Sequence, residues 1–71
     1  MKFLCPCCKH KTLSAENERG EICPVCFWEI DPIQQADPHY SGGANSVSLL
    51  QARKNVKHFG VCERRFINQK T

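Results

Sequence analysis

Long apolar runs are absent from this 71-residue sequence. Only Phe3 and Leu4 are apolar before the first cysteine, whereas a secretory signal needs an apolar core of about 7–15 residues. No stretch approaches the roughly 20 apolar residues of a transmembrane helix. We therefore expect a cytoplasmic protein without a membrane segment, in a compartment that keeps its thiols reduced.

The sequence also lacks the residue sets of the common hydrolytic and phosphate-transfer chemistries. It has no Ser-His-Asp set, no paired carboxylates and no Gly-rich phosphate loop. The run SGGANS at 41–46 precedes a predicted helix, but no lysine or arginine follows it at the spacing of a phosphate-binding loop. We interpret this run as a loop-to-helix turn and expect that the protein is not an enzyme.

The chain is too short to be stabilised easily by a core alone. A domain of this size rarely buries enough apolar surface to offset the entropy of ordering it, so disulfides or a structural metal are expected. Six cysteines supply the candidates, and in a reducing compartment paired cysteines are more often metal ligands than disulfides. We predict one metal-stabilised domain over residues 1–71.

Four of the six cysteines form two C-P-x-C motifs. The pairs are separated by 14 residues, close to the usual interval of a zinc site built from two cysteine knuckles. Thiolates at i and i+3 converge on one ion, and the proline after the first cysteine presets φ. Iron, bound as in rubredoxin, is the rival metal, and a buried cluster of free thiols is the alternative without metal. We predict one structural Zn²⁺ held by Cys5, Cys8, Cys23 and Cys26.

The other two cysteines fall outside this spacing. Cys7 follows Cys5 by two positions, so its side chain should point away from the metal and pack beside the knuckle. The alternative is a reactive thiolate at Cys7, which would make the protein a thiol redox protein. Cys62 is isolated and is expected to be a small buried hydrophobe. No histidine has ligand spacing; the histidines are His10, His39 and His58.

These patterns predict a small α+β fold that resembles a zinc ribbon or rubredoxin module. Residues 11–15 and 20–23 should form a β-hairpin across the polar turn ENERG at 16–20, which would bring both knuckles to one end. Along the chain we predict knuckles and hairpin in 1–28, a long ordered loop in 29–47, an amphipathic helix in 48–60 and a tail in 61–71.

The predicted helix has clear boundaries. Ser48 is a good N-cap, Gln51 can complete a capping box, and Gly60 is a typical residue after a helix end. Apolar residues at helical spacing should pack on the hairpin; they are Leu49, Ala52, Val56 and Phe59. The hairpin and its flank should contribute Leu13, Ile22, Phe27 and Trp28 to the core, and the tail should be anchored by Val61, Phe66 and Ile67.

Charge is distributed unevenly. The formal net charge of +3 falls to about +1 when four thiolates surround one divalent zinc. Residues 49–71 carry a net +5, and residues 1–48 a net −2. The basic half makes nucleic-acid binding the alternative function; its candidate residues are Arg53, Lys54, Lys57, Arg64 and Arg65.

We favour a protein partner or self-association over nucleic acid. The metal-corrected charge is close to zero, and the sequence shows neither a base-reading motif nor the interleaved aromatic platform of a single-strand binder. A protein partner should use exposed apolar groups and the long loop, around Ile33, Tyr40 and the Gly42-Gly43 pair.

Several runs together resemble one family. They are CPCC at 5–8, EICPVCFWE at 21–29, GGANSVSL at 42–49, ARKN at 52–55 and FGVCERRF at 59–66. As a set they closely resemble the bacterial cysteine-rich CPCC family of small proteins. Members usually carry glycine after CPCC, where this chain has Lys9, and acidic residues after the tryptophan, where Ile30 follows Glu29. The resemblance implies a bacterial origin and a metal-binding set of cysteines.

Overall fold

A computed structural model describes residues 2–69 and shows two short strands, two α-helices and a C-terminal 3₁₀ helix within them. In chain order these are β1 (Phe3–Leu4), β2 (Lys11–Leu13), α1 (Pro32–Ala36), α2 (Leu49–Phe59) and the 3₁₀ helix (Arg64–Gln69). The fold is therefore small α+β, as predicted. Within residues 2–69, no helix is long and apolar enough to cross a membrane.

The strand pairing differs from the prediction. β2 pairs antiparallel with β1 across the first C-P-x-C motif, so the hairpin predicted between residues 11–15 and 20–23 is wrong. The first motif reverses the chain by itself, so the segments on its two sides pair with each other. The second motif does the same, because an isolated antiparallel bridge joins Ile22 to Glu29. Each C-P-x-C motif is therefore a chain reversal, and the segments before and after it pair antiparallel with each other.

The segment 29–47 is not a loop throughout, because it contains α1. Pro32 takes the first helical position, and the Asp31 carboxylate accepts hydrogen bonds from the backbone N–H groups of Ile33 and Gln34 at 2.9 and 3.4 Å. An N-cap followed by proline is a favourable helix start. The prediction that the whole segment is a loop is therefore wrong. The helix has only five residues, and a helix this short does not produce a periodic apolar pattern in the sequence.

Helix α2 confirms the predicted boundaries. The Ser48 hydroxyl accepts a hydrogen bond from the Gln51 backbone N–H at 3.1 Å, and Gly60 ends the helix in the left-handed conformation with φ of 81°. The Gln51 side chain donates to Asn55 at 2.9 Å, one turn further along the helix. The cap at Ser48 is therefore formed by its hydroxyl, as expected for this residue type.

The core lies between the two cysteine motifs and α2. Leu13 and Trp28 are buried in it as predicted, but Ile22 is 54% exposed and Phe59 39% exposed. Ile22 precedes a cysteine that points inward, and neighbours in an extended segment face opposite sides. Phe59 is the last residue of its helix, beyond the region that the core covers. The largest fully buried side chains are Trp28, Leu13, Ile30, Leu49, Gln34 and Val61.

The tail returns to the cysteine motifs. Val61 is fully buried, and the Phe66 ring packs edge-on against Phe27 with centroids 5.5 Å apart. These two predicted anchors are confirmed, whereas Ile67 is 43% exposed and is not an anchor. Residues 70 and 71, the end of the predicted tail, lie outside the described residues.

Candidate metal centre

The two C-P-x-C motifs form turns with the same backbone hydrogen bonds. In the first, the Lys9 N–H donates to the Cys5 carbonyl at 2.9 Å, and in the second the Phe27 N–H donates to the Cys23 carbonyl at 2.8 Å. Both Lys9 and Phe27 have φ of 69°. In addition, the Cys5 N–H donates to the His10 carbonyl, and the Cys23 N–H donates to the Trp28 carbonyl. Each turn therefore presents its two thiols in the same way.

The turns bring four thiols together. Their Sγ atoms all lie within 4.8 Å of one another, with 3.6 Å between Cys5 and Cys26 and 3.7 Å between Cys8 and Cys23. A tetrahedral site with metal–sulfur bonds of 2.3 Å has sulfur–sulfur edges of about 3.8 Å. All six cysteines of the chain are free thiols. The four-cysteine cluster therefore has the donor set and the spacing to hold one metal ion.

Burial of the cluster is uneven. Cys5, Cys23 and Cys26 have no exposed surface, and only Cys8 is partly accessible. A site of this kind excludes water from most of its surface, which strengthens the interaction between thiolates and a bound cation. Cys8 marks the side from which an ion or a chelator can approach.

A hydroxyl from outside the second motif and a backbone N–H within it support one of the sulfurs. The Thr12 hydroxyl lies 3.0 Å from the Cys23 Sγ, and the Val25 N–H donates to the same sulfur at 3.4 Å. Thr12 belongs to β2, so the pairing of β2 with β1 places this hydroxyl against the second cysteine motif. Groups that donate to ligand sulfurs orient them and stabilise their anionic form.

The four thiols are too close to ionise independently. A hydrogen bond to Cys23 raises the pKa of Cys5 and that of Cys26 far above the ordinary value, because in each case the neutral thiol is the donor. The pKa of Cys23 is lowered, because its thiolate accepts from Cys26 and Cys5 and from the Thr12 hydroxyl. Without a cation the cluster therefore keeps some of its protons; a divalent ion bound by all four sulfurs would replace them.

Helix α2 contacts the first cysteine turn through the side chain of Arg53. The Arg53 Nε donates to the Pro6 carbonyl at 3.0 Å, across 47 positions of sequence. This contact directs Arg53, one of the candidate nucleic-acid residues, toward the first cysteine turn.

Cys7 and Cys62 do not belong to the four-thiol group, although the Cys7 thiol forms a hydrogen bond with the Cys26 thiol. Cys7 is 4% exposed and packs in the core as predicted, but this contact shows that its side chain does not point away from the cluster. Cys62 is fully buried, as predicted. Burial raises the pKa of Cys62 to about 12, with a further contribution from the neighbouring Glu63 carboxylate. Among the described residues, neither these cysteines nor any histidine belongs to the four-cysteine group.

A buried polar network that the sequence did not reveal supports the second turn. The Gln34 side chain is fully buried, and its Nε2 donates to the carbonyls of Tyr40, Asn45 and Val47. The Asn45 side chain in turn accepts from the Glu29 N–H at 2.9 Å and donates to the Glu29 carbonyl at 2.8 Å. These hydrogen bonds fix the glycine-rich segment to Glu29, in the bridge that follows the second cysteine motif. A polar side chain facing the core gives no periodic signal in the sequence.

The candidate nucleic-acid residues do not form one uniform set. Lys54 and Lys57 are exposed on α2, whereas Arg65 pairs with the buried Glu63 at 2.9 Å. The Arg64 guanidinium lies over the Phe59 ring at 5.7 Å from its centroid. Arg53, by contrast, donates a hydrogen bond to the first cysteine turn.

Comparison with known proteins gives one clear result. The sequence model of the cysteine-rich CPCC family matches residues 3–71. No curated protein matches the chain at a significant level. The matched range includes both cysteine turns, the glycine-rich segment, α2 and the tail.

Proposed function

This chain belongs to the cysteine-rich CPCC family, and we propose that it is a zinc-binding module in which the metal has a structural role. The observation that carries the proposal is the group of four Sγ atoms within 4.8 Å of one another, contributed by two turns of equivalent backbone geometry. Zinc suits an all-thiolate tetrahedron because it has no geometric preference of its own. Iron in the same ligand set is the competing metal.

A closed shell of four thiolates argues against catalysis. A catalytic zinc keeps one coordination position for water or substrate, whereas four sulfur ligands leave none. Three of these cysteines are also fully buried. We therefore propose that the protein is not an enzyme and that metal binding contributes free energy of folding to a domain with a small core.

Metal removal tests the structural role. After chelation, we expect circular dichroism and amide exchange to show loss of structure around residues 20–28 first, followed by α2. The helix has 11 residues, and isolated helices shorter than about 12–15 residues are marginal in water. Re-addition of zinc should restore both signals. Native protection of residues 20–28 in metal-free protein would contradict a structural role.

We further propose that the module acts through macromolecular contacts, with a protein surface around α1. Ile33 and Tyr40 are 57% and 44% exposed. If copies of the chain associate through this surface, sedimentation velocity should show association that depends on concentration and is lost in Ile33→Ser. Ile22→Ser is the matched control, because Ile22 is 54% exposed at the bridge beside the second cysteine turn. A monomer at all concentrations would exclude self-association.

A further inference from the structure

Helix α2 is connected by hydrogen bonds to both cysteine turns. Arg53 reaches the first turn directly, because its Nε donates to the Pro6 carbonyl at 3.0 Å. Asn55 reaches the second turn through one intermediate residue. Its Nδ2 donates to the Cys62 carbonyl at 2.8 Å, and the Cys62 N–H donates to the Cys26 carbonyl at 2.8 Å. The two turns are therefore connected to each other through one helix.

Both connections end on the backbone of the segments that carry the candidate ligands. Pro6 lies between Cys5 and Cys8, the two thiols of the first turn, and the Cys26 carbonyl belongs to a candidate ligand itself. Because hydrogen bonds are directional, a donor on a carbonyl restrains the peptide plane around it. These bonds therefore restrict where the backbone of each turn lies relative to α2.

The two turns need a common support because they come from distant parts of the chain. Cys5 and Cys26 are 21 positions apart, so the local structure of each turn does not set the distance between them. Arg53 and Asn55, in contrast, lie two positions apart in a regular helix, which fixes their backbone positions relative to each other. A metal site requires its ligands to be held closely by the structure that surrounds them. The helix can supply this support.

The Asn55 amide is held in one orientation. The residue is 8% exposed, and its Oδ1 accepts from the Gln51 Nε2 at 2.9 Å, which leaves the Nδ2 as the donor to Cys62. Asparagine is a weaker helix former than alanine or leucine, yet it occupies the interior of α2. The hydrogen bond of its side chain, rather than helix propensity, therefore explains its place in the helix.

Arg53 differs from the neighbouring cations of α2. It is partly buried and bonded to Pro6, whereas Lys54 and Lys57 are exposed. The planar guanidinium presents its donors in fixed directions, while the ammonium of a lysine rotates freely on a flexible stem. Arg53 therefore supplies the directional donor that holds the first turn.

We propose that Arg53 and Asn55 are positioning residues of the metal centre, which set the placement of the two cysteine turns relative to each other. Neither residue belongs to the four-thiol group, and each acts through backbone carbonyls. This inference deepens the proposed function and rests on it, because a positioning role requires that the four thiols hold a metal. If both residues only stabilised the packing of α2, zinc affinity would instead follow the stability of the helix.

The test combines the zinc affinity of the full chain, measured by competition with a chelator, with the visible absorption bands of the Co²⁺-loaded chain, which report the geometry of a four-sulfur site. Arg53→Met keeps an unbranched side chain and loses the donor. Asn55→Leu keeps the size of the side chain, loses the donor and improves helix propensity. Each variant should bind zinc about 10- to 100-fold more weakly, as is typical when an outer support of a metal site is removed. The Co²⁺ bands of both variants should change in position and intensity.

Two variants of the same helix are the controls. Lys54→Met removes an exposed cation next to Arg53 and should leave the zinc affinity and the Co²⁺ bands unchanged. Val56→Ala removes part of a side chain that packs against the core, so it destabilises α2 without removing a hydrogen bond to either turn. It should weaken zinc binding only through folding and leave the Co²⁺ bands unchanged. Circular dichroism shows that each loaded variant is folded, and Arg53→Lys replaces Arg53→Met if the latter is not.

The outcomes separate this inference from the proposed function. Absence of zinc from the unaltered chain would overturn both. If the unaltered chain holds zinc and the Arg53→Met and Asn55→Leu variants bind it equally tightly, the inference alone is overturned. Weaker binding with unchanged Co²⁺ bands, as expected for Val56→Ala, would also overturn it, because both residues would then act only on the stability of the helix.

Discussion

Lys9 and Phe27 occupy equivalent positions in the two cysteine turns, each four residues after the first cysteine and each with φ of 69°. The left-handed conformation costs an L-residue about 1–2 kcal/mol, and glycine avoids this cost. Lys9 is exposed, whereas Phe27 contacts Phe66. The second turn therefore gains a contact from its non-glycine residue, and the first does not.

Lys9→Gly should consequently stabilise the zinc-loaded protein by about 0.5–1 kcal/mol, after allowance for the greater freedom of glycine in the unfolded chain. Denaturant unfolding at fixed zinc concentration measures this change. Lys11→Gly is the matched control, because it makes the same replacement in the extended strand β2, where glycine destabilises. Equal destabilisation by both variants would show that Lys9 is not strained.

Thr12→Val should weaken zinc binding about 10- to 100-fold, the usual effect of removing a group that supports a metal ligand. The valine keeps the shape of the side chain but loses the hydroxyl that lies 3.0 Å from the Cys23 Sγ. Competition with a chromogenic chelator measures the affinity. Thr12→Ser retains the hydroxyl and should bind zinc nearly as the unaltered chain does. Equal affinities of the valine and serine variants would show that the hydroxyl contributes nothing.

The cysteine spacing predicted which thiols come together, because a C-P-x-C turn is a local structure. The strand pairing was not predictable in the same way. The polar run at 16–20 has the composition of a hairpin turn, but the side chain of the neighbouring Glu21 folds back and accepts hydrogen bonds from the Ser14 N–H and hydroxyl at 2.7 and 2.9 Å. This segment is therefore a loop held by hydrogen bonds to the Glu21 side chain. The antiparallel pairings form across the two cysteine turns instead.

Gly43→Ala should destabilise the protein by about 1–3 kcal/mol, the usual cost of forcing an added carbon into packed structure. A Cβ at this position would lie 2.5 Å from the Asp31 Oδ2 and 3.0 Å from the Gln34 side chain. Both neighbours are buried and hydrogen-bonded, so neither moves freely. Thermal unfolding measures the change. In an Asp31→Ala background the same substitution should cost less, and an unchanged cost would contradict the contact.

The raised pKa of the buried Cys62 thiol predicts that the stability of the protein falls at high pH. Burial raises its pKa from 9.0 to about 12, so its stabilising contribution is full below pH 9 and is lost as the pH rises through 12. The difference in unfolding free energy between the unaltered chain and Cys62→Ala should be constant below pH 8 and shrink by about 1 kcal/mol between pH 9 and 10. Other titrations are common to both proteins and cancel. A constant difference up to pH 10.5 would contradict the prediction.

The buried polar residues explain why the loop region was only partly predictable. The Asp31 carboxylate caps the N-terminus of α1. Its second oxygen also accepts from the Ala44 N–H at 2.9 Å, and this hydrogen bond is the largest single cause of the lowered pKa of Asp31. Contacts between segments 13 residues apart depend on the tertiary fold, so local sequence patterns do not reveal them.

Elemental analysis of the purified protein and of its six single Cys→Ser variants tests the central claim most directly. We predict one zinc per chain in the unaltered protein. Zinc should be lost from four variants, Cys5→Ser, Cys8→Ser, Cys23→Ser and Cys26→Ser, and retained in Cys7→Ser and Cys62→Ser. A folded protein without metal, iron in place of zinc, or loss of zinc from Cys7→Ser but not from Cys5→Ser or Cys8→Ser would contradict the account.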